Sequence, residues 1–168
     1  MTRDSFCSSC GARYPDISHY PRTCASCGTQ VWSNPVPVAV VLLPVVEGSR
    51  TGLLVVRRAI HPVGLALVGG FMESGETWQQ SAARELREEA GVEIAADSLA
   101  PHWFTSAGKT VLLFGLAPAV TELPAFTPNS EASERGILHA DQTSELVFPL
   151  HAEAARRYFH GTAVRSST

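Results

Sequence analysis

The sequence has no hydrophobic run long enough to cross a bilayer. Its longest apolar stretch, Val36 to Val46, falls short of the roughly 20 residues a spanning helix needs and is interrupted by Pro37 and Pro44. There is no basic surplus either: 13 Lys and Arg face 16 Asp and Glu, a formal net charge of −3. General capture of nucleic acid, which depends on cations neutralising phosphates, is therefore not expected. The start, Met1-Thr2-Arg3-Asp4-Ser5, lacks the apolar core of a secretory leader, so a cytoplasmic location with reduced thiols is expected. No cysteine lies beyond Cys27. From there on only an apolar core can hold the chain, and a composition of 45% hydrophobic and 17% charged residues supplies one. The same balance excludes disorder as the main state. A length of 168 residues implies one domain, or one domain with a small appendage.

The cysteines that are present form two pairs, Cys7-Ser8-Ser9-Cys10 and Cys24-Ala25-Ser26-Cys27, thirteen residues apart and each followed by glycine, Gly11 or Gly28. A C-x2-C turn lets two thiolates reach one ion, and a glycine after it supplies the positive φ such a turn tends to need. Two such turns make a tetrahedral sulfur cage, which suits a structural Zn²⁺ with no position open for chemistry. The spacer has room for a short β-hairpin. Few large apolar side chains stand nearby (Phe6, Tyr14, Ile17, Tyr20, Val31 and Trp32), so this stretch depends on its ion to fold. Two disulfides or a redox pair are the rival readings. Disulfides conflict with a reducing compartment, and a redox C-x-x-C would stand singly at a helix start near a βαβ unit. His19 is read as an exposed loop histidine rather than a further ligand. Residues 1–33 are thus expected to form a zinc ribbon and residues 34–168 a second domain.

Composition changes sharply after Asn34-Pro35. Val36 to Leu43 is a β-branched apolar run and Leu53 to Arg57 another, with turn residues between, so the two read as a hairpin. Leu65 to Phe71 is short and apolar. From Thr77 the period becomes helical. Thr77 and Gln80 make a capping-box pattern, Ala82, Ala83, Leu86 and Ala90 fall on one face, and Gly91 is a natural stop. Val92 to Ile94 reads as extended, and Trp103 to Ser106 and Thr110 to Ala117 as strands. Residues 118–136 read as a long loop, Ile137-Leu138 as a last short strand, and His151 to His160 as a second helix. Several strands with a mid-chain helix make an α+β sandwich the expected architecture.

The mid-chain helix carries Arg84-Glu85-Leu86-Arg87-Glu88-Glu89. At about 100° per residue, Glu85, Glu88 and Glu89 share an arc of roughly 100°. Carboxylates so close repel one another, and a cation between them reverses that sign. An all-oxygen set points to Mg²⁺ or Mn²⁺. Alone, such a run reads as a solvated acidic face partnered by Arg84 and Arg87. It does not stand alone. Gly69-Gly70, Glu73, Gly75 and Glu76 precede it; the adjacent glycines let backbone approach an ion or a phosphate, and Glu76 is placed to fold back onto Arg84.

This arrangement resembles the Nudix box, G-x5-E-x7-R-E-U-x-E-E-x-G-U, with U a bulky aliphatic. Gly70, Glu76, Arg84, Glu85, Leu86, Glu88, Glu89, Gly91 and Val92 fill its nine fixed positions without a gap. The resemblance implies an α/β/α sandwich with a mixed sheet, and metal-dependent hydrolysis of a nucleoside diphosphate linked to another group. It implies Glu85, Glu88 and Glu89 as Mg²⁺ or Mn²⁺ ligands and Glu76–Arg84 as an orienting salt bridge. It further implies a ligating carbonyl from Gly69 or Gly70, in a substrate-facing loop that includes Glu73. Val68 departs from the proline that many members carry there.

The cysteine pairs followed by Asn34-Pro35 resemble the family's zinc-ribbon subset, which includes NADH pyrophosphatases and plant-type FAD and ADP-ribose pyrophosphatases. Glu131-Ala132-Ser133-Glu134 resembles the family's later E-x-x-E segment, a source of a general base or an extra ligand, so Glu131 and Glu134 are both candidates. The S-Q-P-W-P-F-P-x-S array of NADH pyrophosphatases has no counterpart. Trp103-Phe104-Thr105-Ser106-Ala107-Gly108-Lys109 stands there instead, which turns the expectation away from NADH toward FAD, ADP-ribose or a similar derivative. Arg57 and Arg58 are candidates for phosphate contact against a structural role, and Trp78, Trp103 and Phe104 for base stacking against core packing. Family members often form homodimers, so a second copy of the chain is a candidate partner. The rival functions are a module that binds without hydrolysis, sensing a ligand or recognising protein or nucleic acid through the ribbon, and an isopentenyl-diphosphate isomerase. The complete set of box glutamates weighs against both.

Overall fold

Each cysteine pair is the tip of a tight turn closed by its own backbone bonds. In the computed structural model, which describes residues 5–165 and side chains as far as residue 161, the chain divides into two units, Met1–Pro35 and Val36–Thr168. Most of the stretch from which a missing leader is read, residues 1–4, lies outside the described residues. In the first unit the Gly11 N–H donates to the Cys7 carbonyl (2.9 Å) and the Cys7 N–H to that of Ala12 (2.8 Å). Gly28 and Cys24 repeat the pattern at 2.8 and 2.9 Å. Both glycines sit at φ 73°, where other residues are strained.

The spacer has room for a short hairpin, but none forms within it among the described residues. Strand β1 (Arg22–Thr23) instead pairs antiparallel with β2 (Gln30–Val31) around the second cysteine pair, and a Phe6–Arg13 bridge closes the first. Two thiols aim at one point only when the arms of their own turn are held together, so pairing forms at the base of each turn. The spacer winds around Arg22, which donates to the carbonyls of His19 and Ile17 and lies 3.9 Å from the centre of the Tyr20 ring. His19 is exposed and faces Asp16 at 3.2 Å, as a loop histidine does. Among the described residues, Cys7, Tyr14 and Cys24 form the buried cluster of this unit, too small a core to stand without a cross-link.

The second unit contains strands β3 (Val36–Leu42), β4 (Pro44–Glu47), β5 (Arg50–Arg58), β6 (Gly64–Ala66) and β7 (Val68–Phe71), then helix α1 (Trp78–Ala90). Strands β8 (Ala100–Ala107), β9 (Thr110–Leu116) and β10 (Ala132–Leu138) follow, and helix α2 (Pro149–Arg165) ends it. One sheet runs β7-β3-β9-β8 and is mixed, because β3 and β9 are parallel while the other neighbours are antiparallel. The other runs β10-β5-β4, with β6 also on β5. Alternation along the strands builds the layers. Ala39, Val41, Leu54 and Val56 share a buried cluster with Ala82, Leu86 and Ala90 of α1. Their chain neighbours Val40, Leu42, Leu53 and Val55 share a second cluster with Ala154, Ala155 and Tyr158 of α2. Strands covered on both faces are apolar throughout, and the outcome is the expected α/β/α sandwich.

Several elements differ from the sequence reading. Val36–Leu42 is not half of a hairpin with Leu53–Arg57. The chain crosses between the sheets at Leu43, and the hairpin is β4 with β5, turning at Gly48 (φ 62°). Pro44, with no N–H to donate, begins the new strand. Residues 118–136 are not loop throughout, because β10 begins at Ala132 and pairs with β5. It is an edge strand, and an edge tolerates the polar run Ser133-Glu134-Arg135 that argued for a loop. Val92–Ile94 forms no strand and leads into a 3-10 turn at Ala96–Ser98. Helix α2 exceeds His151–His160 at both ends. Among the described residues no helix is long and apolar enough to cross a membrane.

Candidate functional site

Helix α1 is fixed at both ends by the residues its sequence advertises. The Thr77 hydroxyl accepts from the Gln80 N–H (3.2 Å) while the Gln80 side chain accepts from the Thr77 N–H (2.8 Å). Gly91, left-handed at φ 67°, donates back to the Arg87 carbonyl at 3.0 Å. Arg84 then ties the helix to the loop before it. It grips Glu76 with two bonds, 2.8 Å from Nε and 3.0 Å from Nη2, and donates to the Phe71 carbonyl at 3.1 Å. Glu76 also accepts the Glu73 N–H at 2.9 Å. The Arg84 guanidinium, with that backbone donor, holds the Glu76 carboxyl down at about 2, and Glu76 in turn keeps Arg84 charged.

The carboxylates do not share one environment. Glu85 and Glu89 are buried, at 8% and 5% exposure. Burial pushes the Glu85 carboxyl up against the counter-pull of Arg84 (2.7 Å), and it pushes Glu89 up to about 7 although the Gly69 N–H donates to it at 3.2 Å. Glu88 is half exposed and faces Arg84 (3.2 Å) and Arg87 (3.3 Å). One turn of helix explains the split: Glu89 lies about 40° from Glu85 toward the buried stripe, and Glu88 about 60° away on the solvent side. The carboxylate that does join Glu85 and Glu89 is Glu131, with oxygens of all three within 4.8 Å of one another. Of the residues expected from the sequence, Glu85 and Glu89 lie in this cluster together with the later candidate Glu131, while Glu88 is turned toward Arg84 and Arg87. Glu134 is outside the cluster, paired with Arg57 at 2.9 Å.

The glycine pair makes this closeness sterically attainable. A Cβ on Gly70 would lie 2.3 Å from the Glu85 carboxylate, and one on Gly69 would lie 2.3 Å from the Ala39 carbonyl. Glu131 immediately precedes β10, whose pairing with β5 slips between Ala132 (opposite Arg58) and Glu134 (opposite Arg57). That bulge at Ser133 sends Glu131 and Glu134 to different neighbours. The Ala59 N–H holds the Glu131 carbonyl at 2.8 Å, and the Asn129 side chain accepts from the Glu131 N–H at 2.9 Å. Asn129 was not visible as a site residue in the sequence; its partners on α1 are some 40 positions away.

The remaining candidates have contacts of their own. Arg58 donates to the Pro62 carbonyl (3.0 Å) and lies over the Phe148 ring. Trp78 fills the space over Gly115, where a Cβ would meet its ring at 2.5 Å, and Trp103 stacks on Phe114 at 5.3 Å. Phe104 is exposed.

In the first unit the four cysteine sulfurs also lie within 4.8 Å of one another. The pairs Cys7–Cys27 (3.7 Å) and Cys10–Cys24 (3.6 Å) are too far apart for disulfides, which need about 2.04 Å. They approach the edge of about 3.8 Å that a tetrahedron with metal–sulfur bonds of about 2.3 Å requires. Backbone donors at Cys10 and Ser9 bring the Cys7 thiol down to about 6, while the neighbouring sulfurs push that of Cys10 up to about 12. The sulfur set therefore fits a soft cation, and the oxygen set fits a hard one.

The family model for the NUDIX domain matches residues 35–160. A NUDIX hydrolase from Nitrosomonas europaea is similar over 93% of this chain and 90% of its own, with a TM-score of 0.75 and 26% identity. The NAD-capped RNA hydrolase NudC of Deinococcus radiodurans is 33% identical over 91 residues, which are 53% of this chain and 32% of that protein. The match thus spans about a third of that relative's length. The NUDIX domain of Shewanella oneidensis NrtR, solved with ADP ribose, is 17% identical with a TM-score of 0.66 over 78% of this chain and 90% of that one, and shares the fold.

Proposed function

The chain belongs to the NUDIX domain family, and from that premise we propose that it hydrolyses the pyrophosphate bond of a nucleoside diphosphate derivative with the help of Mg²⁺ or Mn²⁺. The observation that carries this is the convergence of Glu85, Glu89 and Glu131 beside Gly69-Gly70. Two buried carboxylates raised by desolvation, with a third beside them, would be stabilised by a hard cation. When bound, such a cation neutralises phosphate charge and lowers the pKa of an attacking water. Glu85, Glu89 and Glu131 would hold it. Glu131 completes the charge of the site and, exposed on its open side, is the carboxylate that can take the proton lost by water. Glu88 forms the rim, and Glu76–Arg84 fixes the glycine loop with Glu73 against α1. Glu134 is the weaker candidate for a base, because Arg57 engages it. Zn²⁺ in the sulfur cage is proposed as a structural ion.

For the leaving part of the substrate, the missing aromatic-proline array still favours FAD or ADP-ribose. The identity to a protein named as an NAD-capped RNA hydrolase supports a second reading, a dinucleotide joined to an RNA 5′ end. Product analysis separates these: FAD, ADP-ribose, NADH and an NAD-capped oligonucleotide are offered with Mg²⁺ and with Mn²⁺. Nucleoside monophosphate release from one of them, absent in Glu89→Gln, is expected. A protein with both metals bound that cleaves none of them, yet binds one tightly, would instead be a sensor.

A further inference from the structure

We propose that Asn129 is the positioning residue that carries Glu131 into the carboxylate cluster, by clasping the end of α1 to the turn that bears Glu131. The inference rests on the metal-site reading above and adds a residue outside the box. Every hydrogen-bonding valence of the Asn129 side chain is used. Its amide donates to the Glu88 carbonyl (2.9 Å) and the Glu89 carbonyl (3.4 Å). Its oxygen accepts from the Glu131 N–H (2.9 Å) and the Ala132 N–H (2.8 Å). Its own N–H donates to the Ala132 carbonyl at 2.9 Å.

The last carbonyls of a helix have no partners within it. In α1 those of Leu86 and Arg87 are taken by Val92 and Gly91, and that of Ala90 by Arg135. The carbonyls of Glu88 and Glu89, which belong to the acidic run itself, are taken by Asn129. One planar amide therefore spans from the main chain of Glu89 to the main chain of Glu131 and fixes their separation. Saturated in this way, Asn129 has nothing left to offer a substrate, so its part is positioning and not catalysis.

The experiment reads Mn²⁺ affinity of the full, zinc-loaded chain by direct titration for Asn129→Ala, Glu131→Gln and the double variant. Loss of an outer partner of a ligand costs about tenfold or more in metal affinity. Each single variant is expected to bind Mn²⁺ about tenfold more weakly, and the double variant no more weakly than either. Wild-type affinity in Asn129→Ala, or losses that multiply in the double variant, overturns the clasp while leaving the metal site standing. Wild-type affinity in Glu131→Gln overturns the metal-site reading and the clasp with it. Should Asn129→Ala fail to fold, Asn129→Asp keeps both accepted bonds and forfeits the donors to α1. The same non-multiplying losses are required of it, and multiplying losses sink the proposal.

Discussion

The two candidate metal sites are built on opposite plans. The sulfur cage takes all its ligands from residues 7–27, a stretch with almost no core of its own. The carboxylate site draws on α1, the glycine pair and the turn before β10, and its two deepest members sit in a sandwich with a buried cluster on each side. On the proposed reading the ion makes the fold in the first case, and the fold makes the site in the second. A ligand set local in sequence is legible from spacing alone, whereas one assembled from distant segments needs the sheet register before its third member is known.

The largest expected effect breaks this comparison at its cysteine end. Cys24→Ser, or stripping of zinc, should unfold residues 5–35 outright, since structural zinc in so small a unit contributes on the order of 10 kcal/mol or more. Hydrogen exchange should show that region unprotected while β3, β5 and α1 keep their protection. A first unit that stays protected without metal would mean that its few apolar contacts suffice, and the contrast would collapse.

The carboxylate end should respond the other way, with function lost and stability gained. Glu89→Gln should lower turnover by about 10²–10³-fold, the scale of losing a metal's charge stabilisation. Without added divalent cation it should also melt higher than the wild type at pH 8. The sign follows from linkage. Burial raises Glu89 from its ordinary value to about 7, so between about 4.5 and 7 the folded state binds the extra proton. Wild-type stability therefore falls as pH rises through that window and levels off above it. The ceiling is about 3 kcal/mol by the pKa-to-energy conversion. Thermal melts from pH 4 to 8 should show this slope in the wild type and a flatter one in Glu89→Gln, and added Mg²⁺ should abolish the difference. A wild-type curve that is flat, or rises with pH, would show that Glu89 ionises without penalty.

A middle-sized effect is expected at the latch. Arg84→Lys keeps a charge but cannot offer Glu76, Glu85 and the Phe71 carbonyl the planar fork that now reaches all three. A loss of about 10–100-fold in kcat/KM, with the melting temperature moved by only a few degrees, is the expected outcome. Equal activity in Arg84→Lys would reduce the latch to a point charge.

These contrasts also mark what the sequence could reveal. Helix α1 was legible to its ends because capping is local chemistry: Thr77, Gln80 and Gly91 act within a few residues of themselves. The sulfur cage was legible for the same reason. The fold class followed from apolar runs, but the partner of Val36–Leu42 did not, because a strand apolar on both faces carries no record of which sheet it joins. Strand β10 was hidden by its edge position, where polar residues meet water. Spacing on the helix placed Glu85, Glu88 and Glu89 together, yet burial separates them, and burial depends on which face the sheet covers. Asn129 was out of reach of any local reading, since its side chain acts across some 40 positions of sequence.

The smallest effect sharpens a choice the sequence left open, between Glu131 and Glu134. Two residues separate them, and both belong to the same acidic segment. The bulge at Ser133 assigns Glu134 to Arg57 on the neighbouring strand and Glu131 to the buried pair on α1. An exposed cross-strand ion pair contributes roughly 0.2–1 kcal/mol, and Arg57 and Glu134 are 45% and 68% exposed. Glu134→Gln should therefore cost under about 1 kcal/mol in denaturant melts and leave Mn²⁺ affinity unaltered. Glu131→Gln should do the reverse, weakening Mn²⁺ and turnover with little change in stability, since its carboxylate is exposed in the free protein. If the two variants behaved alike, the slip in register would not be separating their roles, and the strand would have to shift by one pairing when substrate binds.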